Sequence, residues 1–302
     1  MSVPRSTPPP LSPGARIALL APAGPLAGEA ELERAEHNTR ALGWEPRASP
    51  HALSRQSYLA GDDESRLADL NAAIRDPRVD GIWCLRGGYG AMRILGAIDY
   101  DALRHTPKAI IGFSDITALH LAVRARCGLV SYHGPTARGE LTPFSRASLL
   151  SATSATGDPF ASAPPLTWLR EGNASGPLEG GNLALLCSLL GTPYAPQLDG
   201  AILVLEDVNE PLYRIDRMLR QLILSGLLAR LAGLCFGAFT GRGDENGAAA
   251  HALDVLFAEA AAHVRGPVAC NAPVGHIPNQ WTLPLGARAE LSPTHGLVMA
   301  AR

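Results

Sequence analysis

The sequence is poor in features that would commit it to a metal or a nucleic acid. Its five cysteines, Cys84, Cys127, Cys187, Cys235 and Cys270, lie far apart, so CxxC and zinc spacings are absent. Their number is odd and most sit in apolar stretches such as GIWCL, ALLCSLL and GLCFG. This predicts buried free thiols in a reducing compartment. HExxH is missing, and no His/Asp/Glu cluster has metal-ligand spacing. The expectation is a site without metal or cofactor, working by a nucleophile, a base and backbone donors. Charged residues make up 18% of the chain, the formal charge is −2 and no basic run occurs, so neither nucleic acid nor an anionic membrane is expected as a partner. No stretch approaches the ~20 apolar residues that cross a bilayer. The opening MSVPRSTPPPLSPGARIALLAPAG places prolines where a secretory signal would need its apolar run. A cytoplasmic protein is therefore expected.

What is present is a core-forming chain of 302 residues, 46% apolar, enough for two domains or one large one. Its first half alternates short apolar strands with amphipathic helices. ARIALLAP, VDGIWCL, KAIIGF and LVSYHGP read as strands; EAELERAEHNTRALGW, DDESRLADLNAAIRDP and DITALHLAVRARCG read as helices. That alternation predicts an α/β fold with a parallel sheet covered on both faces. Residues 1–13 read as a disordered lead and 14–140 as an N-terminal α/β domain. The Ser-, Ala-, Pro- and Gly-rich stretch 141–176 reads as a linker, with space for one short helix, and 177–302 as a C-terminal domain. Within that second domain PLEGGN reads as a loop feeding an apolar helix and AILVLED as a strand. YRIDRMLRQLILSG reads as an amphipathic helix, and the tail as short strands and turns.

Four segments could carry chemistry. In IIGFSDIT a strand ends at Phe113 and Ser114 lies on the turn into a helix, at the carboxyl edge of the sheet where ligands collect. A serine there reads as a nucleophile facing a positive helix end, or as a helix N-cap. Ile116 replaces the second glycine of a G-x-S-x-G elbow. In CLRGGYGAMR the glycines let backbone N–H groups approach a ligand, or simply make a tight turn. Arg93 stands where a dinucleotide fingerprint needs glycine. In ILVLEDVNEPLYRIDR, Glu206 and Asp207 end a strand and read as acids that orient a histidine, or as solvated loop acids. In VGHIPNQWTLPLG, His276 lies in a turn and reads as a base or an ordinary histidine. His120 and His133 compete as bases, and Cys84 as a nucleophile, although its apolar run favours the core.

Taken in order, RGGYG, GFSDIT, LEGGN, LEDVNEPLYRIDR and GHIPNQWTLPLG match the order and spacing of the LD-carboxypeptidase family, which the chain resembles over roughly residues 15–292. The family holds muramoyl-tetrapeptide carboxypeptidases and microcin C immunity peptidases. The resemblance implies Ser114 as nucleophile, Glu206 as triad acid and His276 as base. It further implies the backbone N–H groups of Gly88 (or Gly87) and Asp115 as oxyanion donors. Arg86, Gly87 and Tyr89 become candidates for substrate contact, Arg86 for a free carboxylate on the leaving residue or for a salt bridge at the core edge. The implied fold is an N-terminal domain like that of class I glutamine amidotransferases, followed by a smaller mixed α/β domain, commonly in a homodimer. The implied substrate is a murein tetrapeptide cut before its terminal D-Ala. The alternatives are a microcin-like peptidyl or aminoacyl nucleotide, or a non-catalytic peptide-binding protein. The compact stretch between Glu206 and His276 favours murein over microcin.

Overall fold

The computed structural model describes residues 5–161, 164–241 and 248–300. The first half runs β1 (Arg16–Leu20), α1 (Glu29–Ala41), β2 (Glu45–Ala48), α2 (Asp63–Arg75), β3 (Gly81–Cys84), α3 (Ala91–Ile94), α4 (Tyr100–His105), β4 (Ala109–Gly112), α5 (Thr117–Cys127) and β5 (Ser131–His133). After α6 (Pro143–Ser154) come β6 (Thr167–Arg170), β7 (Ala174–Asn182), α7 (Leu183–Ser188), β8 (Ile202–Val208), α8 (Leu212–Leu224) and β9 (Gly233–Thr240). The chain finishes with α9 (Ala248–Ala262), β10 (Val268–Cys270), β11 (Leu283–Leu285), β12 (Arg288–Ser292) and β13 (Gly296–Met299).

Two sheets result. The first has the order β11-β5-β4-β3-β1-β2, with β1 to β5 all parallel. Its central strands β3 and β4 are buried throughout, as strands covered on both faces must be. One face packs Leu19, Trp83 and Ile111 with Ala35 of α1, Leu149 of α6 and Trp44 of the connection before β2. The other face packs Ile82 and Ile110 with Leu70, Leu119 and Val123 of α2 and α5. That same core continues into Leu183 and Leu186 of α7 and Ile215 and Leu219 of α8, so the two halves share apolar contact. The second sheet is mixed, β13-β12-β7-β8-β9-β10-β6, with β7 to β10 parallel.

The structure differs from the sequence reading in four places. PLEGGN is not a loop: it is the end of strand β7. A Cβ on Gly180 would stand 1.9 Å from the Val204 carbonyl oxygen, so glycine there lets β7 press against β8. Residues 141–176 contain α6, β6 and the first residues of β7. Thr142 caps α6 by accepting from Ser145 N–H, and Pro143 occupies its first position. The proline-rich lead is packed over the part described: Ser6 pairs with Leu129, and Leu11 is 4% exposed. Residues 1–4 of that lead lie outside the described residues. Finally, β11 leaves the C-terminal half and joins the first sheet antiparallel to β5, with Leu283 opposite His133. Among the described residues no helix is long and apolar enough to cross a membrane.

Candidate active site

Parallel strands end together, and the loops after β1, β3, β4 and β5 meet at one sheet edge. Ser114 begins a short 3-10 helix that leads from β4 into α5. Its φ is +64°, the left-handed region that a residue with a Cβ enters only at a cost of about 1–3 kcal/mol. That strain sets the serine on a sharp strand-to-helix turn, as in nucleophile elbows. The turn has little room. A Cβ on Gly112 would stand 3.0 Å from Ile116 and 3.1 Å from Cys84, and one on Gly87 would stand 2.8 Å from the Ser114 Cβ. Glycines thus let the β3 turn lie directly against the serine.

The β3 turn is held from below. Gly24 N–H donates to the Gly87 carbonyl at 2.8 Å. Because a trans peptide directs its C=O and N–H oppositely, the Gly88 N–H points away from Gly24. Gly88 has φ +100°, and among the described residues its N–H has no acceptor. The Asp115 side chain does separate work: its carboxylate accepts from Ala91 N–H at 2.8 Å and ties the serine turn to the glycine turn. Burial pushes that carboxyl up to about 6, against the opposing pull of Ala91, Arg66 and Gly90.

The C-terminal half supplies the acid and the histidine. β8 carries Glu206, fully buried, at a β-bulge where the β9 register shifts. Bulges re-aim side chains. Here Glu206 Oε2 lies 2.8 Å from His276 Nδ1. A carboxylate can only accept, so Nδ1 carries a proton, and in the neutral ring the lone pair is then on Nε2. The imidazole ring rests on Phe113, the residue before Ser114, with centroids 4.7 Å apart. The second oxygen of Glu206, Oε1, is buried without a partner among the described residues. Asp207 faces elsewhere, accepting from Asn182 Nδ2, Ala184 N–H and Val208 N–H, which fixes the start of α7.

Of the competing candidates, His133 stays beside this cluster, its ring centroid 6.1 Å from that of Phe113, while Cys84 and His120 lie in the buried core. Cys84 is fully buried, and burial pushes its thiol up to about 12. His120 is buried; its Nε2–H donates to the Gly112 carbonyl, which leaves Nδ1 to accept from Ser131 Oγ. Burial lowers it to about 4 despite the Gly112 bond. His133 is buried with neither ring nitrogen bonded among the described residues, and burial first, then His120 and His276, keep it neutral. Arg86 has no carboxylate within salt-bridge distance among the described residues; it donates to the Pro25 carbonyl. Tyr89 is 59% exposed and meets Tyr58 edge to face at 5.4 Å. Sequence reasoning missed Phe113, Gly24 and the Asp115 carboxylate as site builders; the PAG after the first strand was the one local signal for Gly24. Among the described residues no group of three or more His, Cys, Asp or Glu could hold a metal ion.

Comparison with known proteins reads the same two halves. Residues 17–134 match the model of the LD-carboxypeptidase N-terminal domain and residues 175–291 that of the LD-carboxypeptidase C-terminal domain. The chain belongs to the LD-carboxypeptidase family. A murein tetrapeptide carboxypeptidase of Pseudomonas aeruginosa is 37% identical to this family member over 91% of this chain and 92% of its own. The crystal structure of a muramoyltetrapeptide carboxypeptidase from Oxalobacter formigenes superposes with a TM-score of 0.78 at 30% identity, covering 94% of this chain and 97% of that one. An MccF-like protein from Bacillus anthracis gives a TM-score of 0.87 at 26% identity, covering 98% and 100%. Membership makes this LD-carboxypeptidase-family chain a hydrolase of the carboxypeptidase class.

Proposed function

We propose that the chain is a serine carboxypeptidase that removes the terminal D-residue from murein tetrapeptides, with Ser114, His276 and Glu206 as its triad. The observation that carries this reading is the Glu206–His276 pair resting on Phe113, next to a serine held at positive φ. In the reaction His276 Nε2 takes the Ser114 proton as Oγ attacks the carbonyl of the L-residue. Glu206 keeps the proton on Nδ1 and stabilises the imidazolium that forms. Gly88 and Asp115 N–H groups receive the oxyanion. His276 returns its proton to the departing D-amino acid amine, and water then clears the acyl-enzyme by the same route. The murein substrate is supported by the names of the Pseudomonas aeruginosa and Oxalobacter formigenes relatives. We assign the enzyme to the cytoplasm, consistent with its free cysteines, and expect a homodimer by its family resemblance.

The test is hydrolysis of purified murein tri-, tetra- and pentapeptides followed by mass spectrometry. Conversion of tetrapeptide to tripeptide plus free D-Ala is expected. An unchanged tetrapeptide would remove the assignment.

A further inference from the structure

The strand end LEGGN carries no group assigned to the reaction, yet it lies between the two halves of the site. Asn182 N–H donates to Thr117 Oγ1 at 3.0 Å, and both residues are buried. Thr117 opens α5, shortly after Ser114, and its own N–H donates to the Ser114 carbonyl. On the other side Asn182 pairs with Glu206 in the β7–β8 ladder, and Glu206 Oε2 meets His276 Nδ1. One side-chain hydrogen bond therefore joins the serine turn to the strand that carries the acid and, through it, to the histidine.

Gly181 makes that bond possible. Its φ is +124°, and a Cβ there would stand 2.6 Å from Thr117 Oγ1 and 3.1 Å from His133 Nδ1. A side chain at that position would push β7 away from α5. It would also press on His133, which meets Phe113 edge to face at 6.1 Å, and the His276 ring rests on Phe113 at 4.7 Å. The halves share apolar packing as well, but apolar contact is non-directional, whereas a hydrogen bond fixes distance and angle. Further along α5, about two turns on, Arg124 pairs with Glu179 of β7 at 2.7 Å. That leaves Thr117 as the fastening beside the nucleophile.

We propose that Thr117 and Gly181 are positioning residues for the hydrolysis: they interlock α5 with β7 and so set Ser114 against the Glu206–His276 pair. The proposal rests on the triad reading and adds to it the register between the two halves. Without the Thr117 hydroxyl the buried Asn182 N–H loses its acceptor. A methyl group in its place needs about 3.5 Å or more of separation, so β7 is displaced and carries Glu206 and His276 with it. The Glu206–His276 bond lies wholly within the C-terminal half and survives, while the distance from His276 to Ser114 changes.

The experiment compares Thr117→Val, which keeps the shape and removes the acceptor, with Thr117→Ser, which keeps the acceptor. Hydrolysis of murein tetrapeptide by Thr117→Val should fall about 30-fold in kcat with KM within about threefold of wild type. Thr117→Ser should recover kcat to within about threefold. Gly181→Ala should cost about 10²-fold in kcat. Arg124→Gln is the control for stability alone: it should lower the melting temperature and leave kcat within about threefold. NMR reads the position directly, because Phe113 belongs to one half and His276 to the other. In Thr117→Val the low-field His276 Nδ1–H signal should persist while the nuclear Overhauser contact between the Phe113 and His276 rings weakens, and Thr117→Ser should restore that contact. Loss of the ring contact with this rescue supports the interlock even where wild-type protein leaves the tetrapeptide uncut, which would remove the functional reading alone. An unchanged ring contact in Thr117→Val, or a kcat loss in Arg124→Gln as large as that in Thr117→Val, overturns the proposal.

Discussion

A Cβ on Gly275 would stand 2.9 Å from both the Cβ and the Oε2 of Glu206. The residue before His276 is thus the floor on which the acid lies, and its φ of +118° is closed to ordinary side chains. Gly275→Ala should displace Glu206 or His276. We expect turnover to fall about 10²-fold, since a shift of about 1 Å in reacting groups has that effect. Backbone strain should cost about 1–3 kcal/mol of stability. Steady-state kinetics with a thermal melt would separate the two, and normal kcat would mean that the Glu206–His276 bond does not govern the reaction.

Substitutions at the triad should rank by role. Ser114→Ala and His276→Ala should each reduce kcat by about 10⁴-fold or more, and the double variant should be little worse than either, because nucleophile and base act as a unit. Glu206→Gln should lower kcat by about 10²–10⁴-fold, since the amide keeps the shape and loses the charge that supports imidazolium. Its neighbour behaves differently. Asp207 holds Asn182 and the first turn of α7, so Asp207→Asn should alter the melting temperature while kcat stays within about threefold. The reverse ranking would move the acid one residue along.

Two buried carboxyls make stability depend on pH in an unusual direction. Burial pushes Asp115 and Asp207 up to about 6 each, above their value in the unfolded chain. Between that unfolded value and pH 6 the folded state binds the extra protons, so lowering the pH from 7 towards 4 should favour folding through these two groups. Asp76, Asp99 and Glu31 are shifted downward, and their contribution is lost below about pH 4. His120 and His133, whose protonation burial opposes, act the other way, because the unfolded chain takes up their protons as the pH falls from 7. The carboxyl contribution is therefore read as a difference: between about pH 7 and pH 5 the melting temperature of Asp115→Asn with Asp207→Asn should fall by a few degrees more than that of the wild type. The same pH dependence in both proteins would contradict the assignment of these carboxyls.

Thiol reagents give an independent check on the nucleophile. Cys84 and Cys235 are fully buried, and burial keeps the thiols of Cys84, Cys187 and Cys270 near 12. Iodoacetamide at neutral pH should leave turnover of the folded protein intact, because the thiolate is the reacting species. Inactivation that tracks alkylation of Cys84 would replace the serine mechanism with a thiol one.

Local pattern was enough for β1, β3, β4 and β5 of the first sheet, and missed its two edge strands, β2 and β11. Short apolar strands such as AIIG cannot face water on either side, and helices with acidic first turns follow or precede them; alternation of that kind leaves a parallel sheet as the economical arrangement. The second sheet was less legible. β7 reads ASGPLEGGN, a composition of turn formers, and it becomes a strand because β8 and β12 pair with it on both sides. Propensity loses to neighbours that the sequence places more than a hundred residues away in the case of β12.

The sequence by itself determined which residue types were available at the site: a serine after a strand, an acid at the end of another, a histidine between a glycine and a proline-rich turn, and glycines where backbone must approach. Each read equally as an ordinary cap, loop acid or surface histidine, because a reactive group is defined by its neighbours in space. The tertiary structure alone decided that Glu206 bonds His276 across 70 positions of chain, that the ring rests on Phe113, and that Arg86 meets a carbonyl where a salt bridge was equally available. Those contacts depend on the bulge in β9, the return of β11 to the first sheet and the approach permitted by Gly87 and Gly275. They are non-local packing outcomes, and short-range spacing carries no information about them.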